Sequence, residues 1–344
     1  MKTKIVSVSN KQEWNHIVTK AAFYDFYHCN SYHSLDKSGS AFLFVLEEND
    51  DFIAIPLIKR VIEGTNYYDC TSVWGYPGPI SSKLPQELPV KLVTSFGEKM
   101  REFMLDSKIV TVFSRLHPLI EQQYCFKGLG TVIKLNKTVA IDLSLPLDMQ
   151  RQQYRKSNKS EINQLRKSGY TIRKANTSNE IDAFYDIYIN TMQRVNADPF
   201  YFNCFDLEYF YKLLILDDAR PNLLLAYKDE EIIAGGVFIA TEKFMQYHVA
   251  GTKNGHMKAT PMKLIIDEAR LLGNQMNLKY LHLGGGVNGT DTDSLFQFKA
   301  GFSDYTFHYQ IWKFIVDEKV YHHLVTRKAK QKQLNNNFFP LYRC

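Results

Sequence analysis

Leu283-Gly-Gly-Gly-Val-Asn-Gly289, followed by Asp293-Ser-Leu-Phe-Gln-Phe-Lys299-Ala-Gly-Phe302, is the stretch on which the fold reading turns. The apolar run from Leu278 to Leu283 directly before it reads as a buried strand, and the run from Asp293 as a short helix with one lysine. Gly284, Gly286 and Gly289 fit the letters G-x-G-x-x-G of a dinucleotide loop. The context excludes that loop. Such a unit needs a long crossover helix, then a second strand ending in an acidic residue about 20 residues on. That distance lands near Tyr309, inside another strand-like run with no carboxylate at its end. No Gly-Lys-Ser/Thr is present, so a phosphate-cradling P-loop is excluded as well.

At 344 residues the chain has room for two domains with cores of their own. No apolar segment follows Met1-Lys2-Thr3-Lys4, and no apolar run approaches ~18 residues. Neither secretion nor a membrane span is indicated, and a cytoplasmic location is expected. The five cysteines include no C-x-x-C pair and are read as free thiols. A net charge of +6 is mild and points to an anionic ligand rather than to DNA. No His/Cys/Asp spacing suggests a metal site.

Two segments 180 residues apart read alike. Ala41 to Leu46, Glu47 to Asp51 and Phe52 to Leu57 give strand, polar turn, strand. Asn222 to Tyr227, Lys228 to Glu231 and Ile232 to Phe238 repeat the arrangement, with Ile53-Ala54 falling on Ile233-Ala234 and Tyr67 on Tyr247. In the second half the patterning predicts strand 170–174, helices 178–193 and 205–216, and strands 222–227, 231–241 and 244–250. Helix 261–273, strand 278–283, helix 292–300 and strand 306–316 follow. Pro261 and Gly273 mark the ends of their helix. The first half predicts strand 3–7, one or two helices in 10–34, and strands 41–47, 51–62 and 66–72. Helix 86–106, strand 109–114, helix 117–125 and strand 131–143 complete it. Three consecutive strands, a crossover helix and a fourth strand make a mixed sheet with one parallel crossover.

That order resembles the GNAT acyltransferases, and implies an α/β (α+β) chain of two tandem GNAT-like domains. Each would be a mixed, mostly antiparallel sheet flanked by helices. The expected limits are 1–148 for an acceptor-binding domain, 149–320 for a catalytic domain and 321–344 for a basic tail, with the boundary near Leu145-Pro146-Leu147. The segment from Arg151 to Lys167 is a basic helix, either a solvated linker or a clamp for phosphates or an RNA backbone. Arg327 to Lys332 is read as a solvated end.

Three motifs carry a narrower resemblance. Asp69-Cys-Thr-Ser-Val-Trp74-Gly-Tyr76-Pro-Gly-Pro79 resembles a first-domain segment of the Fem-type transferases and their FemAB-like relatives. Arg155-Lys156 through Arg166-Lys167-Ser-Gly169-Tyr-Thr-Ile-Arg173 is similar to their basic helix, and Leu295 to Phe302 to their Phe-Lys-x-x-Phe box. The resemblance spans roughly residues 20 to 315. It implies transfer of an acyl or aminoacyl group onto an amine, as in the extension of peptidoglycan precursors from aminoacyl-tRNA, or with a thioester donor in sugar-modifying relatives. The long helical arm of several tRNA-using members has no counterpart here. The Arg/Gln-x-x-Gly-x-Gly/Ala pyrophosphate loop of ordinary GNAT enzymes is also missing. Gly251 to Pro261 stands in its place, with Lys253 and Lys258 before a helix start that suits an anion.

Acyl transfer to an amine needs a neutral amine, donors aimed at the developing oxyanion and a proton path. Lys299 is the first candidate, to hold an acyl carbonyl or a phosphate; the alternative is a lysine on an exposed helix face. His248, beside Tyr247 in the strand Phe244 to Ala250, is either a general base or a hydrogen-bonded sheet histidine, and Tyr247 is a substrate contact. Asp291 is the weaker alternative base, and Asp293 a helix cap. Gly285 and Gly286 let substrate approach the backbone. Trp74 and Tyr76 form an aromatic loop suited to a uracil or sugar ring, or simply a turn. Arg155 and Lys156 are expected at acceptor phosphates, and Arg194 at an acceptor loop. Cys29 stands beside His28, but adjacency along the chain does not create a nucleophile pair, so direct attack without a covalent intermediate is expected.

The expected function is acylation or aminoacylation of an amine on a nucleotide-linked amino sugar or peptidoglycan precursor. The donor would be acyl-CoA or aminoacyl-tRNA, without a metal. Two rivals stand: an acetyl-CoA-dependent N-acetyltransferase of a small amine, and a non-catalytic binding protein on a transferase fold.

Overall fold

Polar turns at Asn49 and at Asp229-Glu230 break two apolar runs into hairpins, and each hairpin seeds a sheet. Asn49, Asp229 and Glu230 take positive φ, the backbone state such tight turns demand. The computed structural model describes residues 1–344 except Asn288, Lys332, Asn336 and Asn337. The chain divides into two units, one of Met1–Asn136 with His308–Cys344 and one of Lys137–Phe307.

The first unit contains β1 (Lys2–Ser7), α1 (Lys11–Thr19), α2 (Asn30–His33), β2 (Ser40–Glu48), β3 (Asp51–Val61), β4 (Tyr68–Thr71) and β5 (Ile80–Ser81). Next come α3 (Val90–Asp106), β6 (Ile109–Leu116) and the start of β7 (Thr131–Asp142). The second unit takes the rest of β7, α4 (Leu147–Gln152), α5 (Lys156–Lys167), β8 (Thr171–Lys174), α6 (Ser178–Arg194), α7 (Phe200–Cys204) and α8 (Leu207–Leu214). There follow β9 (Arg220–Lys228), β10 (Glu231–Ala240), β11 (Phe244–Thr252), α9 (Met262–Gln275), β12 (Tyr280–Gly284), α10 (Ser294–Lys299) and the start of β13 (Thr306–Ile315). The remainder of β13 and α11 (Glu318–Ala329) belong to the first unit.

Within the first unit the strand order is β1-β2-β3-β4-β6-β13, antiparallel except for the parallel pair β4–β6 that α3 bridges. Within the second it is β8-β9-β10-β11-β12-β7, again with one parallel pair, β11–β12, bridged by α9. The sixth place in each order is filled by a strand from the other half of the sequence. Core packing accounts for this exchange. Trp312 of β13 is fully buried in the first unit's core, stacked on Phe126 at 4.0 Å and donating Nε1–H to Leu129 O at 2.7 Å. Val139 and Ile141 of β7 are buried beside Leu264, Ile265 and Leu281 in the second unit's core. Each unit thus has the expected mixed, mostly antiparallel sheet flanked by helices; the first is assembled from two stretches of the chain, whereas the second is the single stretch Lys137–Phe307.

Two local expectations change. No α-helix forms over 117–125, because Gln122 Oε1 accepts the His117 N–H at 2.6 Å and only a short 3₁₀ turn, Gln122–Phe126, remains. Arg327, Lys330 and Gln331 are exposed as expected, but the segment after Val316 as a whole is not a free tail. Tyr321 and Leu324 of α11 and Tyr342 pack with Ile62 and Val110. Tyr342 and Arg343 bind the buried carboxylate of Asp69, which Arg60 also holds. Lys332 lies outside the described residues.

The basic segment before β8 is likewise committed to the fold. Arg151 and Arg166 donate to Asp267 Oδ2 at 3.1 and 2.8 Å, while Tyr154 OH and Arg270 donate to Oδ1. Burial pushes this carboxyl up, but Arg270, Arg166 and Arg151 outweigh it and hold it below the usual range.

Under the Gly75–Pro79 loop of the first unit lies a sealed polar cluster. His117 Nδ1 accepts from the Leu119 N–H, so Nε2 carries the proton and donates to Asp25 Oδ2 at 2.8 Å. His28 and His33 are both buried, and burial is the first cause that lowers them to about 3 and about 4. Both must stay neutral in the folded unit, whereas the unfolded chain protonates them near 6.5. The folded pKa values are depressed, so stability is lost as pH falls below about 6.5 toward 4. In urea titrations at pH 7 and pH 5, the wild type should lose more stability than His33→Gln, which keeps an amide donor for Tyr27 O. The difference should reach about 1 kcal/mol per pH unit, and equal losses would refute this account.

Candidate functional site

The parallel pairing of β11 with β12 extends over three residue pairs, Phe244↔Tyr280, Met245↔Leu281 and Gln246↔His282. Beyond them β11 stays with β10 as far as Thr252, while β12 follows β7, with Gly284 opposite Val139. The two strands part, and the glycine turn begins at the parting. Gly284 has φ +76°, open to glycine at little steric cost. A Cβ on Gly286 would stand 2.2 Å from Asp293 Oδ1, so the carboxylate packs directly on the turn's backbone.

Lys299, the last residue of α10, points into this parting. Its residue is 8% exposed, and its Nζ donates to Gly285 O at 2.7 Å and lies 5.4 Å from the centre of the Tyr247 ring. Burial lowers the ammonium to about 8, against the field of Asp293, which raises it. One described acceptor serves a group with three donors, so a protonated Lys299 has N–H groups to offer a ligand oxygen. Tyr247 stacks on Phe238 at 5.2 Å, and burial raises its phenol well above the ordinary range, so it stays neutral. Lys299, Tyr247, Gly285 and Gly286 therefore come together, and the exposed-lysine alternative is excluded.

His248 does not join them. It is the extra residue of a β-bulge, where Val237 pairs with Val249 and Phe238 with Tyr247. Its ring shares a hydrogen bond of 2.7 Å with Tyr209 OH and lies against Phe205. Burial lowers it to about 3, so it is a neutral sheet histidine near neutral pH. Asp291 is exposed and ion-paired with Lys137. Asp293 caps α10 through Phe296 N–H, in agreement with its sequence reading. Arg155 donates to Gln297 Oε1 and its N–H to Gly301 O, which sets it beside α10, and Lys156 next to it is exposed. Arg194 is exposed at the end of α6 and reaches Asn254 and Thr191. In the first unit, Trp74 O accepts from Tyr32 OH at 2.9 Å, and Tyr76 is half-buried between Tyr27 and Tyr309.

The start of α9 holds an arrangement that sequence reading missed. Glu161 Oε2 accepts from Thr260 Oγ1 at 2.9 Å and from Lys263 Nζ at 2.7 Å, so the protein's own carboxylate sits near the helix start expected to suit an anion. Lys253 pairs with Glu231. The sequence signal was weak: Glu161 is merely the one acidic residue of a basic helix. Among the described residues no cluster of metal-ligating side chains exists, and no helix is long and apolar enough to cross a membrane.

Burying an ammonium with one described acceptor costs stability, and Lys299→Met should be at least as stable as the wild type at pH 7. The depressed pKa means that this cost is relieved in the wild type as pH rises from about 8 toward the unfolded value. Thermal melts at pH 7 and pH 9.5 should therefore show the gap between the two proteins narrowing; a widening gap would exclude a buried charge at Lys299.

No protein-family profile matches the sequence, and no curated protein matches it. Solved structures do. FemX superposes with a TM-score of 0.74 at 13% identity, over 94% of this chain and 99% of FemX. L-PGS from Bacillus licheniformis gives 0.57 at 10% identity, over 92% of this chain and 96% of the other. A tandem GNAT protein from the clavulanic acid biosynthesis pathway gives 0.51 at 10% identity, over 92% and 99%. With this agreement along almost its whole length, the chain shares the fold of FemX and of the tandem GNAT protein.

Proposed function

We propose that this chain is an acyltransferase that moves an acyl or aminoacyl group onto an amine, with Lys299 binding the acyl oxygen. The observation that carries the reading is the buried Lys299 ammonium at the parting of β11 and β12, with Gly285 O as its described acceptor. Similarity of fold to FemX and L-PGS supports the same class of reaction. In the reaction the acceptor's neutral amine attacks the carbonyl carbon and forms the new C–N bond. Negative charge gathers on the carbonyl oxygen, where the ammonium's N–H groups stabilise it in a site shielded from water. The bond to the leaving oxygen or sulfur then breaks, and the proton shed by the amine ends on the leaving group. Tyr247 forms an apolar floor, and Gly285 fixes the ammonium through its carbonyl, while the space beside Gly286 is filled by Asp293 and not by substrate.

The proposed acceptor is an amine on a nucleotide-linked amino sugar or on a peptidoglycan precursor, as the resemblance to the Fem-type enzymes implies. Arg155, Lys156 and Arg194 are the cations assigned to its phosphates. Glu161 disfavours a further anion at the start of α9, and this favours aminoacyl-tRNA over acyl-CoA as donor.

Pure protein incubated with acetyl-CoA or aminoacyl-tRNA and a panel of nucleotide amino sugars and peptidoglycan precursors should yield an acylated product by mass. No product from any pair would overturn the proposal. Lys299→Met should lower turnover more than tenfold without loss of folded protein. Because the ammonium is the working form, turnover should fall as pH rises through about 8, and a rate still climbing at pH 9 would count against it.

A further inference from the structure

Asp293 does more than cap a helix. A cap needs one side-chain acceptor, which Ser, Thr or Asn supplies as well as Asp. Here both carboxylate oxygens are used. Oδ1 accepts from Phe296 N–H at 2.8 Å in the first turn of α10, and Oδ2 accepts from Val287 N–H at 3.1 Å in the glycine turn. The residue is 6% exposed. At the other end of α10, Lys299 Nζ donates to Gly285 O in the same turn. The turn and the helix are thus clamped twice, by an anion at one end of α10 and a cation at the other. Gly286 lies between the clamps with no room for a side chain.

This geometry has a consequence for the ammonium. Two of its N–H groups are usable only if the Gly285 carbonyl stays where it takes the third, and that carbonyl belongs to the turn that Asp293 anchors two residues later. The titratable groups that face Lys299 are Asp293, from the N-terminal end of its own helix, and Tyr247, from β11. Tyr247 remains neutral, so Asp293 is the charge that supports the proton on Lys299.

We infer that Asp293 is a positioning residue for acyl transfer, holding the Gly285–Val287 backbone and the Lys299 ammonium at the spacing that meets the acyl oxygen. This rests on the assignment of Lys299 to that oxygen. Two variants test it. Asp293→Asn keeps one oxygen for Phe296 N–H but turns an NH₂ toward Val287 N–H, and it removes the charge. Asp293→Ser caps α10 but is too short to reach Val287 as well. Both should fold, with kcat reduced about tenfold or more, KM for the acceptor within about twofold, and the alkaline fall in activity moved to lower pH. Competitive acylation of Lys299 against pH, read by peptide mass, should show the same downward shift without reference to turnover. A folded variant of either kind with wild-type kcat and an unmoved alkaline limb would overturn the inference and leave Asp293 as a cap. If Lys299→Met is itself fully active, the reading of Lys299 fails instead. If Lys299→Met is inactive while the Asp293 variants are normal, only the role of Asp293 fails.

Discussion

The second unit is organised around a pairing that stops. β11 and β12 share three residue pairs, and then each follows its other neighbour, because β11 has β10 beside it to Thr252 and β12 has β7. A parallel pair that ran further would close the gap with backbone hydrogen bonds. Instead the gap receives a side chain, and the turn that starts there is glycine-rich because backbone and side chain must approach closely. The bulge at His248 belongs to the same arrangement. It lets β11 present Tyr247 toward Lys299 while His248 goes to Tyr209.

The positive charge of the chain is less available than its total suggests. In each unit one fully buried carboxylate gathers arginines and a tyrosine. Asp69 is held by Arg60, Arg343 and Tyr342, and Asp267 by Arg151, Arg166, Arg270 and Tyr154. A carboxylate held out of water is stable as a charge only with such partners around it, so these arginines are part of the fold. Arg155, Lys156 and Arg194 remain near the surface, which is why they and not the whole basic helix are assigned to a ligand.

Much of the architecture was legible from local pattern. Period-two apolar runs, polar turns and Pro261 before α9 gave the element order, and that order implied the mixed sheets. The exchange of β7 and β13 was not legible, since nothing within Thr131–Asp142 or Thr306–Ile315 says which core receives Ile141 or Trp312. The site divides in the same way. Lys299 stood out through its Phe-Lys-x-x-Phe setting and Asp293 through its place before an apolar run. The second hydrogen bond of Asp293, to Val287, depends on how the turn folds back. The two readings of His248 could not be separated, because a strand histidine reveals its face only when the bulge is known.

The sequence by itself determined most of the elements, their order and the position of the glycine turn, because each follows from periodicity, turn chemistry or capping within a few neighbouring residues, while Lys299 was singled out by the resemblance of its setting to the Fem-type box. Only the tertiary structure decided which strand completes each sheet, that Asp267 and Asp69 absorb most of the nearby arginines, and that Lys299 is buried beside Tyr247 with one described carbonyl partner. Those outcomes depend on pairs such as Arg151 with Asp267 or Tyr342 with Asp69, 116 and 273 residues apart. Burial and the removal of water, which set the charge state of a lysine, arise only when such distant segments close over it.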